Sequence, residues 1–197
     1  MSNIDTFYSL LNESTISLLG YTFKEESLKD ELISKIPHYK VSEIDSSFNL
    51  KSSIREFKIN SVLSDADVDI DIKYFVIDLQ ELRYSIIKHR VGVASLTSNN
   101  KLGELSLASE LRGLIDEVSF QFRESEYKLL LTSPLNREIL YNGDETLNFM
   151  GGSKPIYIAD LAFRIAGDKI KILKNRYSDN NDISINGLKE YNYEYSK

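Results

Sequence analysis

The chain has 197 residues, 42% hydrophobic and 27% charged, enough for one globular domain with a substantial core. Its 24 basic and 30 acidic residues leave a net charge of −6, which argues against indiscriminate nucleic-acid binding, and the absence of cysteine excludes disulfides and zinc–thiolate centres. No apolar run approaches the roughly 18 residues of a spanning helix, and the opening MSNIDTFYSLLNES lacks the basic-then-apolar layout of a secretion signal, so a soluble cytoplasmic protein without membrane contact is expected. His38 and His89 stand without metal-ligand spacing, so no metal site is expected. The wealth of Asn, Ile, Lys and Tyr points to an AT-rich genome, as in many phages.

In chain order, FYSLLNES reads as the end of a helix and TISLLGY as a short buried strand. KEESLKDELISKI follows with Leu28, Leu32, Ile33 and Ile36 at helical spacing. KVSEID reads as a second strand, LKSSIREFKINSV as a helix with Ile54, Phe57 and Val62 facing inward, and KYFVIDL as a third strand. After a polar loop at SLTSNNKLGE, LSLASELRGLIDEVSFQF is a long amphipathic helix and YKLLLTS a fourth strand without polar alternation. Continuous apolar strands separated by amphipathic helices imply a mainly parallel sheet covered on both faces. IYIADLAFRI and KIKILKNRY, joined by Ala166-Gly167-Asp168, carry the signature of an antiparallel hairpin closing that sheet. Residues 1–177 form the expected core; the polar, tyrosine-rich tail 178–197 reads as a short edge element or a flexible arm.

Two acidic features need separating. DADVDID at 65–71 imitates the start of an EF-hand, but the positions that require Gly and Glu are Ile70 and Val76, so it is not a calcium loop. Asp78, by contrast, closes an apolar strand, which is either a strand meeting solvent or a Walker B carboxylate at the edge of a parallel sheet.

The order of FNLKSSIREFK, KYFVIDLQEL, LASELRGLIDEV, LLLTSPLNRE and ADLAFRI…IKILKNRYS resembles the core of RecA-fold ATPases, in particular DnaB-type replicative helicases and RecA-type recombinases. In those helicases the Walker B strand carries a V-I-D-Y-L-Q-L-like sequence, the next core strand ends S-Q-L-N-R-like, and the last strands end in K-N-R. NGDETLNFMGGSKPIYIADLAFRI also resembles the recombinase segment whose E-T…G-G loop contacts single-stranded DNA. The resemblance spans about residues 15–177 and implies a RecA-like fold.

The departures concern nucleotide handling. G-x-x-x-x-G-K-[ST], whose backbone amides and lysine cradle phosphates, does not occur, and GGSK at 151–154 lies too late in the chain to replace it. Met1 is expected to fall about where that loop would just have ended. Thr22 is then the counterpart of the water-activating glutamate, and Pro134 that of the phosphate-sensing glutamine. Losing three such positions together implies a degenerate, non-catalytic ATPase with no cofactor of its own, in contact at most with a partner subunit's ATP.

Asp78 remains as the Walker B-like residue. Lys174 and Arg176 match residues that the resemblance places at a neighbour's nucleotide, as trans fingers; the plainer reading is an edge strand protected by charge. At 141–155, Gly151 and Gly152 offer backbone amides to phosphates, Lys154 a charge, and Tyr141 or Phe149 a stacking ring, against an ordinary connecting loop on the plainer reading. Asp144 and Glu145 there oppose tight binding, so any single-stranded DNA contact is expected to be weak. Two functions follow: a non-catalytic partner of an active helicase or recombinase in DNA replication or recombination, or a structural or interaction protein, self-assembly included, that keeps the fold without nucleotide or DNA.

Overall fold

The computed structural model describes residues 3–40, 47–67, 73–93, 100–123, 125–139, 145–167, 169–177 and 184–186. They form an eight-stranded sheet. Its strands are β1 (Ile16–Tyr21), β2 (His38–Lys40), β3 (Tyr74–Asp78), β4 (Lys128–Ile139), β5 (Glu145–Phe149), β6 (Leu161–Ala166), β7 (Lys169–Asn175) and β8 (Ser184–Asn186). The sheet order is β2-β3-β4-β1-β6-β7-β8, with β5 paired to the far part of β4. Strands β2, β3, β4, β1 and β6 run parallel, and β6–β7–β8 close the sheet antiparallel. This is the expected α/β architecture. The turn between β6 and β7 uses Gly167 at φ +64°, a conformation that favours glycine.

The helices are α1 (Asn3–Glu13), α2 (Glu26–Ser34), α3 (Ser47–Asp67), α4 (Leu79–Val93), α5 (Asn100–Phe122) and the short α6 (Lys154–Ile158). Two apolar clusters show how they cover the sheet. Phe7 and Leu11 of α1 and Leu32 and Ile33 of α2 pack with Leu19, Val76, Leu130 and Phe163 on one face. Leu50, Ile54 and Phe57 of α3 and Leu111, Ile115 and Phe122 of α5 pack with Leu18, Phe75, Leu129 and Leu131 on the other. Residues two apart in β3 alternate between these faces, so Tyr74, Val76 and Asp78 look toward α1 and α2.

Several elements differ from the sequence expectation. Leu79, expected as the end of the third strand, and residues 80–93, passed over in the sequence, are helix α4, whose Leu79, Leu82 and Ile86 are buried. The segment IYI is not the start of a strand but lies in α6, because Pro155 in the first helical turn has its φ already set for a helix. The stretch 145–149, expected as loop, is β5, and β4 runs on past Pro134 to pair with it. β2 begins at His38, and the remainder of KVSEID (41–45) lies outside the described residues, as do the side chain of Val62 and residues 68–71 of the acidic run. Within the tail, β8 is a short edge element on β7. Among the described residues no helix is long and apolar enough to cross a membrane.

Candidate functional site

Ligands of open parallel sheets bind beyond the carboxyl ends of the strands, where neighbouring connections leave in opposite directions. Here that point lies between β1, whose connection leads toward β2, and β4, whose connection crosses to β6. Asp78 stands at the same edge, in register with Thr132 of β4, while Tyr21 ends β1 opposite Pro134.

Asp78 is nearly inaccessible and its carboxylate is fully engaged. Oδ2 accepts from the Tyr21 hydroxyl at 2.9 Å, the Thr132 hydroxyl at 2.7 Å and the Lys29 ammonium at 3.3 Å. Oδ1 accepts from the backbone amides of Gln80 at 2.9 Å and Glu81 at 3.3 Å, which caps the start of α4. The Lys29 and Asp78 side chains are each only 6% exposed. Lys29 lies one helical turn into α2, also pairs with Asp30 at 3.1 Å, and stands 4.6 Å from the centre of the Tyr21 ring. Burial alone would lower its pKa, but the Asp78 and Asp30 carboxylates more than offset this and hold it above 10.5. Burial first, and Asp78 second, push the Tyr21 phenol far above its ordinary 10.0.

The other face of the same strand end, where Gly20 follows Leu18, is covered as well. A Cβ built on Gly20 would meet Phe149 Cε1 at 2.8 Å and Leu135 methyls at 3.0 Å, so the β4–β5 hairpin lies directly over the end of β1. Met150 N donates to Ser133 Oγ at 2.9 Å and fastens the hairpin there. A magnesium ion needs carboxylate oxygens that face it freely, whereas both Asp78 oxygens are already taken by protein donors, one of them an ammonium. The residues as arranged do not fit a magnesium-bound nucleotide.

The connection from β1 to α2 is also self-contained. Glu25 Oε2 accepts from Thr22 N at 2.8 Å and from the Thr22 hydroxyl at 2.9 Å, and Glu25 Oε1 accepts from Gly167 N at 2.8 Å. The expectation that the chain starts just past the phosphate-loop position meets a different geometry. β1 is the central strand, and the strand–loop–helix that touches Asp78 is β1–α2 itself. Thr22 therefore belongs to that loop.

Lys174 and Arg176 lie at the opposite, amino edge of the sheet, since Asn175 of β7 pairs with Leu161 at the start of β6. β8 pairs only with Lys169–Lys171 of β7, so the end of β7 that carries Lys174 has β6 on one side and no strand on the other among the described residues. The Lys174 ammonium donates to the carbonyls of Ile156, Tyr157 and Ala159 at 2.9, 2.9 and 2.6 Å, capping α6. Burial first, then the nearby Arg176 charge, lower its pKa. Arg176 Nη1 pairs with Asp160 Oδ1 at 2.8 Å, yet its side chain is 56% exposed.

Of the 141–155 candidates, Tyr141 lies outside the described residues. Phe149 is in the core, so its ring has no face open to a base. Gly151 and Gly152 have φ of +89° and +71°, and Lys154 pairs with Asp116 at 2.8 Å. Gly151, Lys154 and Lys174 come together with Arg112, Tyr157 and Leu173 along one groove of about 600 Å³ between α5, α6 and β7. Asp78 is not part of that groove. No group of three His, Asp or Glu side chains among the described residues is placed to hold a metal ion.

The sequence reading missed Tyr21, Lys29, Thr132 and Glu25. For Lys29 there was a signal: a charged residue one position past Leu28 and four before Ile33, inside the apolar stripe of α2, must find a partner.

Comparison with known proteins adds little. No family model matches the chain, and no curated protein matches it. Among solved structures, a KaiC-like protein of the hyperthermophilic archaeon Pyrococcus horikoshii OT3 is similar at 12% identity and a TM-score of 0.40, over 82% of this chain and 79% of that one. That likeness is too loose to carry an argument about activity.

Proposed function

We propose that this chain is a non-catalytic RecA-fold protein that acts by interaction, with the nucleotide site of its fold converted into internal structure. One observation carries the reading: the Asp78 carboxylate, which a motor would use to hold metal, accepts five protein hydrogen bonds, one of them from a buried ammonium. Calorimetry of the chain with ATP and magnesium tests it. No saturable binding and no turnover are expected, whereas micromolar affinity with hydrolysis abolished by Asp78→Ala would end the reading.

A second, narrower reading is a partner of an active helicase or recombinase in DNA replication or recombination. The largely exposed Arg176 side chain supports it, because a trans arginine does not require its owner to bind nucleotide. Arg112 and the exposed Tyr157 ring in the α5–α6–β7 groove are compatible with weak contact to single-stranded DNA. Binding of a fluorescent oligonucleotide at low salt, lost steeply on adding salt and weakened by Lys154→Ala, is the expected outcome on this reading. No binding at low salt, with or without a motor, would leave the interaction role alone.

A further inference from the structure

A phosphate loop is a strand, a glycine-rich turn and a helix whose start faces the ligand, spelled G-x-x-x-x-G-K-[ST]. The chain places such a unit at the centre of its sheet: β1 ends at Tyr21 and α2 begins at Glu26. Residues 20–27 read GYTFKEES. Gly20 and Ser27 occupy the first and last positions of the eight-residue frame, while Glu25 stands for the second glycine and Glu26 for the lysine.

We propose that residues 20–27 are a phosphate-loop frame whose ligands have been replaced by the chain's own side chains, the Glu25 carboxylate taking the place of the phosphate and the Lys29 ammonium that of the divalent cation on Asp78. The inference deepens the non-catalytic reading above and rests on it. Three observations meet here. The spacing of Gly20 and Ser27 fits the frame. The unit lies at the carboxyl edge, in contact with Asp78 through both Tyr21 and Lys29. Each charge that a magnesium-bound phosphate would bring is already present with its partners made: Glu25 on Thr22 N, the Thr22 hydroxyl and Gly167 N, and Lys29 on Asp78.

The arrangement is consistent in sign. A second glutamate, Glu26, opens α2, where the positive end of the helix dipole favours an anion. A free phosphate approaching this loop would meet two carboxylates. A divalent cation approaching Asp78 would meet an ammonium that cannot diffuse away. On the opposite face of the sheet the first glycine of the frame is packed under the Phe149 ring, so β1 is covered there too.

Replacing the internal ligands by external ones tests the proposal on the full chain. In Lys29→Ala the Asp78 carboxylate loses its cation, so magnesium or manganese at millimolar concentration should raise the melting temperature by several degrees. The wild type and Lys29→Ala/Asp78→Asn should show no such response. Glu25→Gly/Glu26→Lys completes the string as GYTFKGKS and should bind ATP or inorganic phosphate saturably in equilibrium dialysis, at least tenfold more tightly than the wild type.

A folded Lys29→Ala variant without a divalent-specific shift would overturn the cation assignment. A folded Glu25→Gly/Glu26→Lys variant that binds phosphate no better than wild type would overturn the frame. If that double variant fails to fold, the divalent response of Lys29→Ala decides alone. ATP turnover by the unaltered chain is a different failure, since it would remove the non-catalytic reading whatever the variants do.

Discussion

Replacing Lys29 by methionine keeps most of the side-chain volume and deletes the charge opposite Asp78. At the observed 3.3 Å, two unit charges attract by about 5 kcal/mol at an effective dielectric of about 20. Desolvating the pair takes back much of this, so the pair as a whole is worth little compared with apolar neighbours. Breaking it is another matter. With both side chains 6% exposed, Lys29→Met leaves a carboxylate buried without its cation, which costs about 3–5 kcal/mol. For a chain of this length that corresponds to roughly 6–20 °C in melting temperature. Asp78→Asn, which removes the buried partner of the ammonium, should cost about 3 kcal/mol, because Asp30 still pairs with Lys29 and the side-chain oxygen still caps α4. Lys29→Met/Asp78→Asn removes both charges and should lie within about 1–2 kcal/mol of the wild type. The coupling between the sites is then about 3 kcal/mol or more, measured by urea unfolding of the four proteins at constant m-value. Lys29→Met costing under about 1 kcal/mol, or additive effects, would show that water reaches the pair, and the account of a closed site would fail.

Alkali should destabilise the fold for the same reason. Lys29 and Tyr21 both hold their protons more tightly folded than unfolded, so their contribution is complete below about pH 10 and falls as pH rises from there through the folded-state values; Tyr21→Phe should flatten that decline in pH-dependent urea melts. Gly20→Ala should cost about 1–3 kcal/mol through the clash with Phe149, and combining it with Phe149→Leu should recover part of the loss, read as a favourable coupling in the same assay. Lys174→Met should destabilise by about 1–2 kcal/mol because three carbonyls at the end of α6 lose their donor, whereas Arg176→Ala, whose side chain is 56% exposed, should cost less than about 1 kcal/mol.

Much of the architecture could be read along the chain because parallel-sheet strands are apolar on both faces, and ISLLGY, YFVID and LAFRIA are such runs. The Gly167 turn announced the final hairpin in the same way. Helix α4 was passed over although Leu79, Leu82 and Ile86 keep helical spacing, because it follows the strand without a break, Asp78 serving both as strand end and helix cap. Strand order leaves no periodic trace. Without it β1 could not be recognised as the central strand, and the loop after it could not be tied to Asp78 across β4. Phe149 was assigned to a loop because β5 depends on β4 continuing beyond Pro134, a residue that usually ends a central strand. Asp78 could be singled out from the sequence, but its partners come from α2, β1 and β4, 49, 57 and 54 positions away.

The tethering of Lys29 bears on how this edge of the molecule responds to its surroundings. A dissociable ligand changes a protein's shape only by preferring one conformation over another, and it can do so only while it comes and goes. An ammonium carried on α2 has no off-rate into solution, and its local concentration at Asp78 does not vary with the composition of the medium. On the proposed reading the carboxyl edge has a single occupancy state. A partner of the proposed kind would then meet the same surface at every nucleotide level and every magnesium level, and any timing in such an assembly would come from the other component.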